Sequence, residues 1–268
     1  MAHDLERINW EAPWLAIWRS FGEPAAVAVL GGQSVAQSLN VQAGSQCPVR
    51  FVGPDVAVGE RGYEAFISRT GTCPTRDNPH DFFNGLAWLG FPRTKLRLNG
   101  LHIANLASPA EPRGAARDAL TVFDENAALL SAPDALWEAL QAKDWSAVFG
   151  PLAHMWRESQ LHLFGHALLE KLMVPRKSIT AHVLRVPSEL REMAALDAWL
   201  DGHLAQQALS MSMFAHLPVL GVPTWWPANT QPGFYADVSV FRPSRRSSKY
   251  AKNVGTSPGL IGNEPAGL

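Results

Sequence analysis

The sequence predicts an α+β fold, a mostly helical single domain carrying a small antiparallel sheet. Three observations lead there. Apolar residues at helical spacing are bracketed by clear starts and stops, as at Asn78-Pro79 and Gly90-Phe91-Pro92. Strand-like runs are few and short, chiefly VRFVG (49–53) and SITAHVLRV (178–186). No internal repeat or linker-like stretch divides residues 1–243, which are expected to form one globular domain, whereas the polar tail 244–268 is expected to be disordered.

Taken in order, Trp10, Trp14 and Trp18 repeat every four residues and would form one stripe on a helix docked on the body. Residues 22–46 read as loop plus a short helix, VRFVG as a strand, and GYEAFISRTG (62–71) as a short helix ending at Gly71. Asn78 caps and Pro79 opens a helix over about 79–89; Thr94 then caps a second over about 95–106. RDALTVFDENAALLSAPD (117–134) fits a helix or a hairpin. The hairpin, near 119–131, is preferred because Leu-Thr-Val-Phe is strand-like and Asp124-Glu125-Asn126 turn-like. A helix to about 142, a long apolar helix over 151–172, a strand near 179–186 and an amphipathic helix from Pro187 follow. HLPVLGVPTWWPANTQPGFYA (216–236) reads as an aromatic loop, and DVSVF (237–241) as a last strand.

The 268 residues are ample for a sizeable core, with 47% hydrophobic and 18% charged. Net charge is −1, which gives no strong nucleic-acid signal. Cys47 and Cys73 stand alone and exclude a cysteine zinc site. One disulfide is compatible with them, but two free thiols are expected. The N-terminus shows no secretory pattern and no apolar run is long enough to span a bilayer, so the expected compartment is the cytoplasm. The phosphate-loop, dinucleotide, serine-elbow, HExxH and kinase motifs are absent.

Candidate site residues are polar groups that intrude on apolar faces. His166 and Glu170 lie four apart, about 40° around a helix, where a buried ionisable pair is costly unless bonded or coordinating a metal. His80, in a first helical turn, is better neutral, which is its ligand form. His102 and His182 complete the expected metal ligands. Asp81 suits the helix dipole, and Asp81 or Glu125 would be the general base, although Asp124-Glu125-Asn126 is more simply a turn. Arg76, Arg93, Lys95 and Arg97 make 76–102 locally basic. With Asn84, Asn99, Trp225 and Trp226, two of them, Arg93 and Lys95, would form a site for a small anionic ligand.

The runs RDNPHDFFNGLAWLGFPRTKLRLNGLH, RDALTVFDENAALL, FGHALLEKLMVPRKSITAH and PVLGVPTWWPANTQPGFYADVSVFRP resemble a bacterial family of proteins of unknown function, family 3025, over about residues 62–243. The resemblance implies a bacterial origin and carries no activity or catalytic residues. It leads one to expect Gly after Asp-Glu-Asn, where this chain has Ala127.

Three functions follow as expectations. The first is a metal-dependent, hydrolase-like enzyme using Zn, Mn or Fe. The second is a metal-free protein binding an anionic small molecule. The third is an interaction protein whose polar groups only specify its core.

Overall fold

The computed structural model describes residues 2–45, 47–56, 59, 62–107 and 114–244; the tail expected to be disordered lies, from residue 245 on, outside them. The chain enters through two 3₁₀ turns, Ala2–Arg7 and Pro13–Leu15, and so breaks the single helix that the tryptophan spacing suggested. Pro13 has no N–H to continue a helical ladder. The tryptophans still pin this segment to the body. Trp18 is fully buried and its Nε1 donates to the Leu163 carbonyl at 3.0 Å. Trp10 lies against Gly22, where a Cβ would meet its ring at 2.5 Å.

Residues 22–46, read as loop plus a short helix, hold two helices, the end of α1 (Arg19–Leu30) and all of α2 (Val35–Gln42). A capping box explains α2: Ser34 Oγ accepts from Gln37 N, and Gln37 Oε1 accepts from Ser34 N. Strand β1 (Arg50–Val52), helix α3 (Tyr63–Thr70) and strand β2 (Thr72–Pro74) make a small parallel pair. As expected, Gly71 stops α3 in the left-handed region, φ 63°.

Helix α4 (Pro79–Gly90) starts as its sequence dictates, with Asn78 Oδ1 accepting from Asp81 N at 2.7 Å. Helix α5 (Pro92–Ala107) begins before Thr94, so Thr94 is not its cap. A buried carboxylate from a distant helix caps it instead: Asp197 accepts from Arg93 N at 3.1 Å and Thr94 N at 2.8 Å.

Helix α6 (Ala115–Asn126) and strand β3 (Ala127–Ser131) replace the expected hairpin. Ala119, Leu120 and Phe123 are buried while Thr121 is exposed, a helical and not a strand period. Helix passes to strand at Ala127 with φ −80° and ψ 152°, a conformation any residue adopts, so no glycine is needed there.

Helices α7 (Asp134–Ala142) and α8 (Trp145–Val148) lead to a second correction. The apolar run 151–172 is not one helix but a 3₁₀ turn, strand β4 (Gln160–Leu163) and helix α9 (His166–Lys171). β3 is buried throughout and takes β4 as its antiparallel partner, with Leu129 opposite His162. Strand β5 (Thr180–Arg185) runs parallel to β3 on its other side. Helix α10 (Met193–Gln206) starts six residues after Pro187, and strand β6 (Ala215–Pro218) lies in the stretch read as loop. DVSVF forms a turn, with Asp237 Oδ1 accepting from Ser239 N, and is not a strand.

The larger sheet is therefore mixed, ordered β4-β3-β5-β6, rather than purely antiparallel. One contiguous core runs from Leu5 to Phe241. Helix α9 packs on both α4 and α6, and α5 on α3, α6 and α10. Among the described residues no helix is long and apolar enough to cross a membrane. Both cysteines are free.

Candidate functional site

The site grows from three helix ends that meet. Asn78-Pro79 places His80 in the first turn of α4, α6 ends at Glu125 and Asn126, and α9 begins at His166. Gly165 permits the meeting: a Cβ there would stand 2.4 Å from Asn126 N and 2.5 Å from the Glu125 carbonyl. The amides of Phe164 and Gly165 both donate to Ala127 O, which locks α9 onto the end of α6.

Two imidazoles and a carboxylate converge as a result. His166 Nε2 lies 3.3 Å from His80 Nε2 and 3.5 Å from Glu125 Oε2, and one ligand-type atom from each residue falls within 4.8 Å of the others. The other nitrogen of His80, Nδ1, is 3.0 Å from Glu170 Oε2. The i,i+4 spacing of His166 and Glu170 thus serves one centre, with Glu170 orienting His80 from behind rather than sharing the cluster. If Nδ1 of His80 donates to Glu170, its Nε2 presents a lone pair to His166.

Electrostatics favour neutral imidazole at His166. Burial pushes its pKa down to about 4, reinforced by Lys95 and His80 and opposed by Asp124. Burial also raises the Glu125 carboxyl. For Asp124, burial acts upward, but the charges of Lys95 and His166 and the Lys95 hydrogen bond outweigh it, so the carboxyl is held low. Lys95 Nζ lies 2.6 Å from Asp124 Oδ1, and this carboxylate stands 4.0 Å from His166 Nδ1. His166 Nδ1 itself is buried without a hydrogen-bond partner among the described residues.

These groups line a cavity of about 460 Å³. His80, Asp81, Asn84, Lys95, Asn99 and His102 reach it from α4 and α5. Glu125 and His166 join them from α6 and α9. Arg76 already engages both carboxylate oxygens of Asp81, its backbone N donating to Oδ2 at 2.7 Å, its Nε to the same oxygen and its Nη2 to Oδ1. Asn99 Nδ2 donates to the Glu64 carbonyl.

Glycine 165, the Asp124–Lys95 pair and the matching cavity place most of the suspected residues together, and a family model described as "Protein of unknown function (DUF3025)" matches residues 49–245. The chain belongs to the DUF3025 family. The match contains every residue of the cluster and of the cavity wall. No curated protein and no solved structure matches the chain.

Other candidates from the sequence lie elsewhere. His182 sits on β5 with its Nδ1 3.0 Å from Asn126 Nδ2 and its ring against His216 and Phe214. Arg93 is exposed beside Leu96 and Arg97, away from the cavity. Trp225 packs near Trp14 and does not line this cavity, nor does Trp226. Asp124, Tyr63 and Trp88 line it without having been singled out as ligands. The adjacent acidic pair Asp124-Glu125 was the signal for the first, and its reading as a turn hid it.

Proposed function

We propose that His80, His166 and Glu125 hold a divalent cation, and that the DUF3025 site is a metal-dependent, hydrolase-like centre. The 3.3 Å separation between the two Nε2 atoms carries this reading. Two nitrogens each about 2.0–2.1 Å from a tetrahedral zinc stand roughly 3.3 Å apart. A donor set of two nitrogens and one oxygen without thiolate suits Zn, Mn or Fe. Such an ion, held by three protein ligands, keeps a position for water and lowers its pKa.

The remaining groups support that role. Glu170 fixes the His80 ring and its tautomer, the usual outer partner of a metal-bound imidazole. Glu125, expected as general base, serves as a ligand. His102 lines the cavity and offers a ring able to carry a proton to or from a bound substrate. The anion-binding alternative has less support, because both cavity cations are already matched, Arg76 by Asp81 and Lys95 by Asp124. The reading places the protein in the bacterial cytoplasm, where two free thiols are at home.

Untagged protein is expected to retain near-stoichiometric Zn, Mn or Fe by elemental analysis, and His166→Ala to lose it. A panel of ester and amide substrates should show turnover that chelator abolishes and the metal restores. A metal-free wild type that also fails to take up added Zn, Mn or Fe contradicts the reading. Glu170→Ala, at a side chain 38% exposed, should keep the fold yet weaken divalent binding about 10–100-fold by calorimetric titration.

A further inference from the structure

His166 faces two demands that one proton cannot meet. Its ring is 4% exposed and burial keeps it neutral, so a single N–H serves two ring nitrogens. Beside Nε2 lie His80 Nε2 at 3.3 Å and Glu125 Oε2 at 3.5 Å. Both accept. A carboxylate can only accept, so Glu170, 3.0 Å from His80 Nδ1, keeps the His80 proton on that nitrogen and leaves a lone pair on its Nε2. These neighbours call for the His166 proton on Nε2.

The other side calls for it on Nδ1. Asp124 Oδ1 stands 4.0 Å from Nδ1, and the Asp124 main-chain carbonyl acts on the ring as an acceptor too. Distance decides: with its acceptors nearer, Nε2 holds the proton and donates to His80. Nδ1 then turns a lone pair toward a carboxylate, and it is the atom that is buried without a hydrogen-bond partner among the described residues. A buried polar atom left in that state is costly and calls for a reason.

We propose that Asp124 is the positioning residue of His166, and that a divalent cation entering between the two Nε2 atoms exchanges the His166–His80 hydrogen bond for one from His166 Nδ1–H to the Asp124 carboxylate. The Nε2–H form rests on the hydrogen bonds alone; the exchange rests on the cation reading above. The proton count of the ring does not change: Nε2 releases its proton and gives its lone pair to the ion, while Nδ1 takes a proton by way of Asp124. Lys95, 2.6 Å from Asp124 Oδ1, holds that carboxyl ionised. A carboxylate has about four lone-pair sites, so Lys95 and His166 can share it, and bringing 4.0 Å to hydrogen-bond length takes a shift of roughly 1 Å. Each imidazole ligand then has its own carboxylate behind it, Glu170 for His80 and Asp124 for His166.

Nitrogen-15 NMR of the full chain labelled at histidine reads the tautomer, the His166 signals being those lost in His166→Ala. In EDTA at neutral pH, Nε2 is expected to carry the proton and Nδ1 the lone pair. With equimolar zinc, Nδ1 should carry the proton and Nε2 the metal. Calorimetric titration with zinc then separates positioning from stability. Lys95→Met keeps the Asp124 carboxylate and, while still folded at low temperature, should bind zinc no more weakly than the wild type. Lys95→Met/Asp124→Leu, the more stable of the two variants, should bind it about 10–100-fold more weakly. A pair that only stabilises the fold gives the reverse order. His166 already protonated on Nδ1 in EDTA, or a double variant with wild-type zinc affinity, overturns the proposal and leaves the cation reading standing. A wild type that takes up no zinc overturns the cation reading and the exchange with it.

Discussion

Lys95→Met is expected to destabilise the protein by about 3 kcal/mol, at the low end for breaking a buried ion pair. Lys95 is 4% exposed and its ammonium is 2.6 Å from Asp124, so the substitution leaves that carboxylate without its counter-charge. The low end applies because the Asp124 side chain keeps 20% exposure and therefore some solvation. For a chain of this size the melting temperature should fall by roughly 6–12 °C. Lys95→Met/Asp124→Leu should recover most of the loss, since an apolar pair of similar volume removes the stranded charge. Thermal unfolding of the two single variants and the double variant gives the coupling energy. If the double variant unfolds as early as Lys95→Met, the pair is not what stabilises this floor of the cavity.

Gly165→Ala is expected to cost about 3 kcal/mol, the top of the range for overpacking. Its backbone, φ −60° and ψ 119°, suits alanine, so the cost is steric and not conformational. The added Cβ would meet main-chain atoms, Asn126 N at 2.4 Å and the Glu125 carbonyl at 2.5 Å, and main chain cannot swing aside as a flexible side chain does. The only relief is to push α9 from the end of α6, which separates His166 from Glu125. The variant should therefore lose divalent affinity along with stability. Calorimetry on protein that is still folded at low temperature separates the two effects. Full metal affinity in Gly165→Ala would mean that the approach of α9 to α6 does not set the ligand geometry.

Local chemistry was legible in the sequence and tertiary chemistry was not. Asn78-Pro79 and Gly71 act through their own neighbours, so the boundaries of α3 and α4 could be read directly. Histidines 80 and 166 and Glu170 were legible because an ionisable group on an apolar face needs a reason to be there. Their partnership was misassigned, since residues four apart on α9 turned out to approach two different nitrogens of a ring from another helix. Helix α6 was read as a strand because Thr121 and Val122 are β-branched; their outward position, which burial decides, is what makes them tolerable in a helix. The cap of α5 came from Asp197, more than a hundred residues away, and no local pattern encodes it. His182 shares the chemistry of the other histidines, yet strand β5 carries it to Asn126 and His216 instead of the cavity.

Anomalous diffraction at the zinc edge, from crystals of untagged protein grown with zinc, tests directly whether His80, His166 and Glu125 hold a cation. One strong peak is expected among His80 Nε2, His166 Nε2 and Glu125 Oε2, at about 2.0–2.2 Å from each. Zinc peaks only at surface positions, with the His80 and His166 rings hydrogen-bonded to one another, would contradict it.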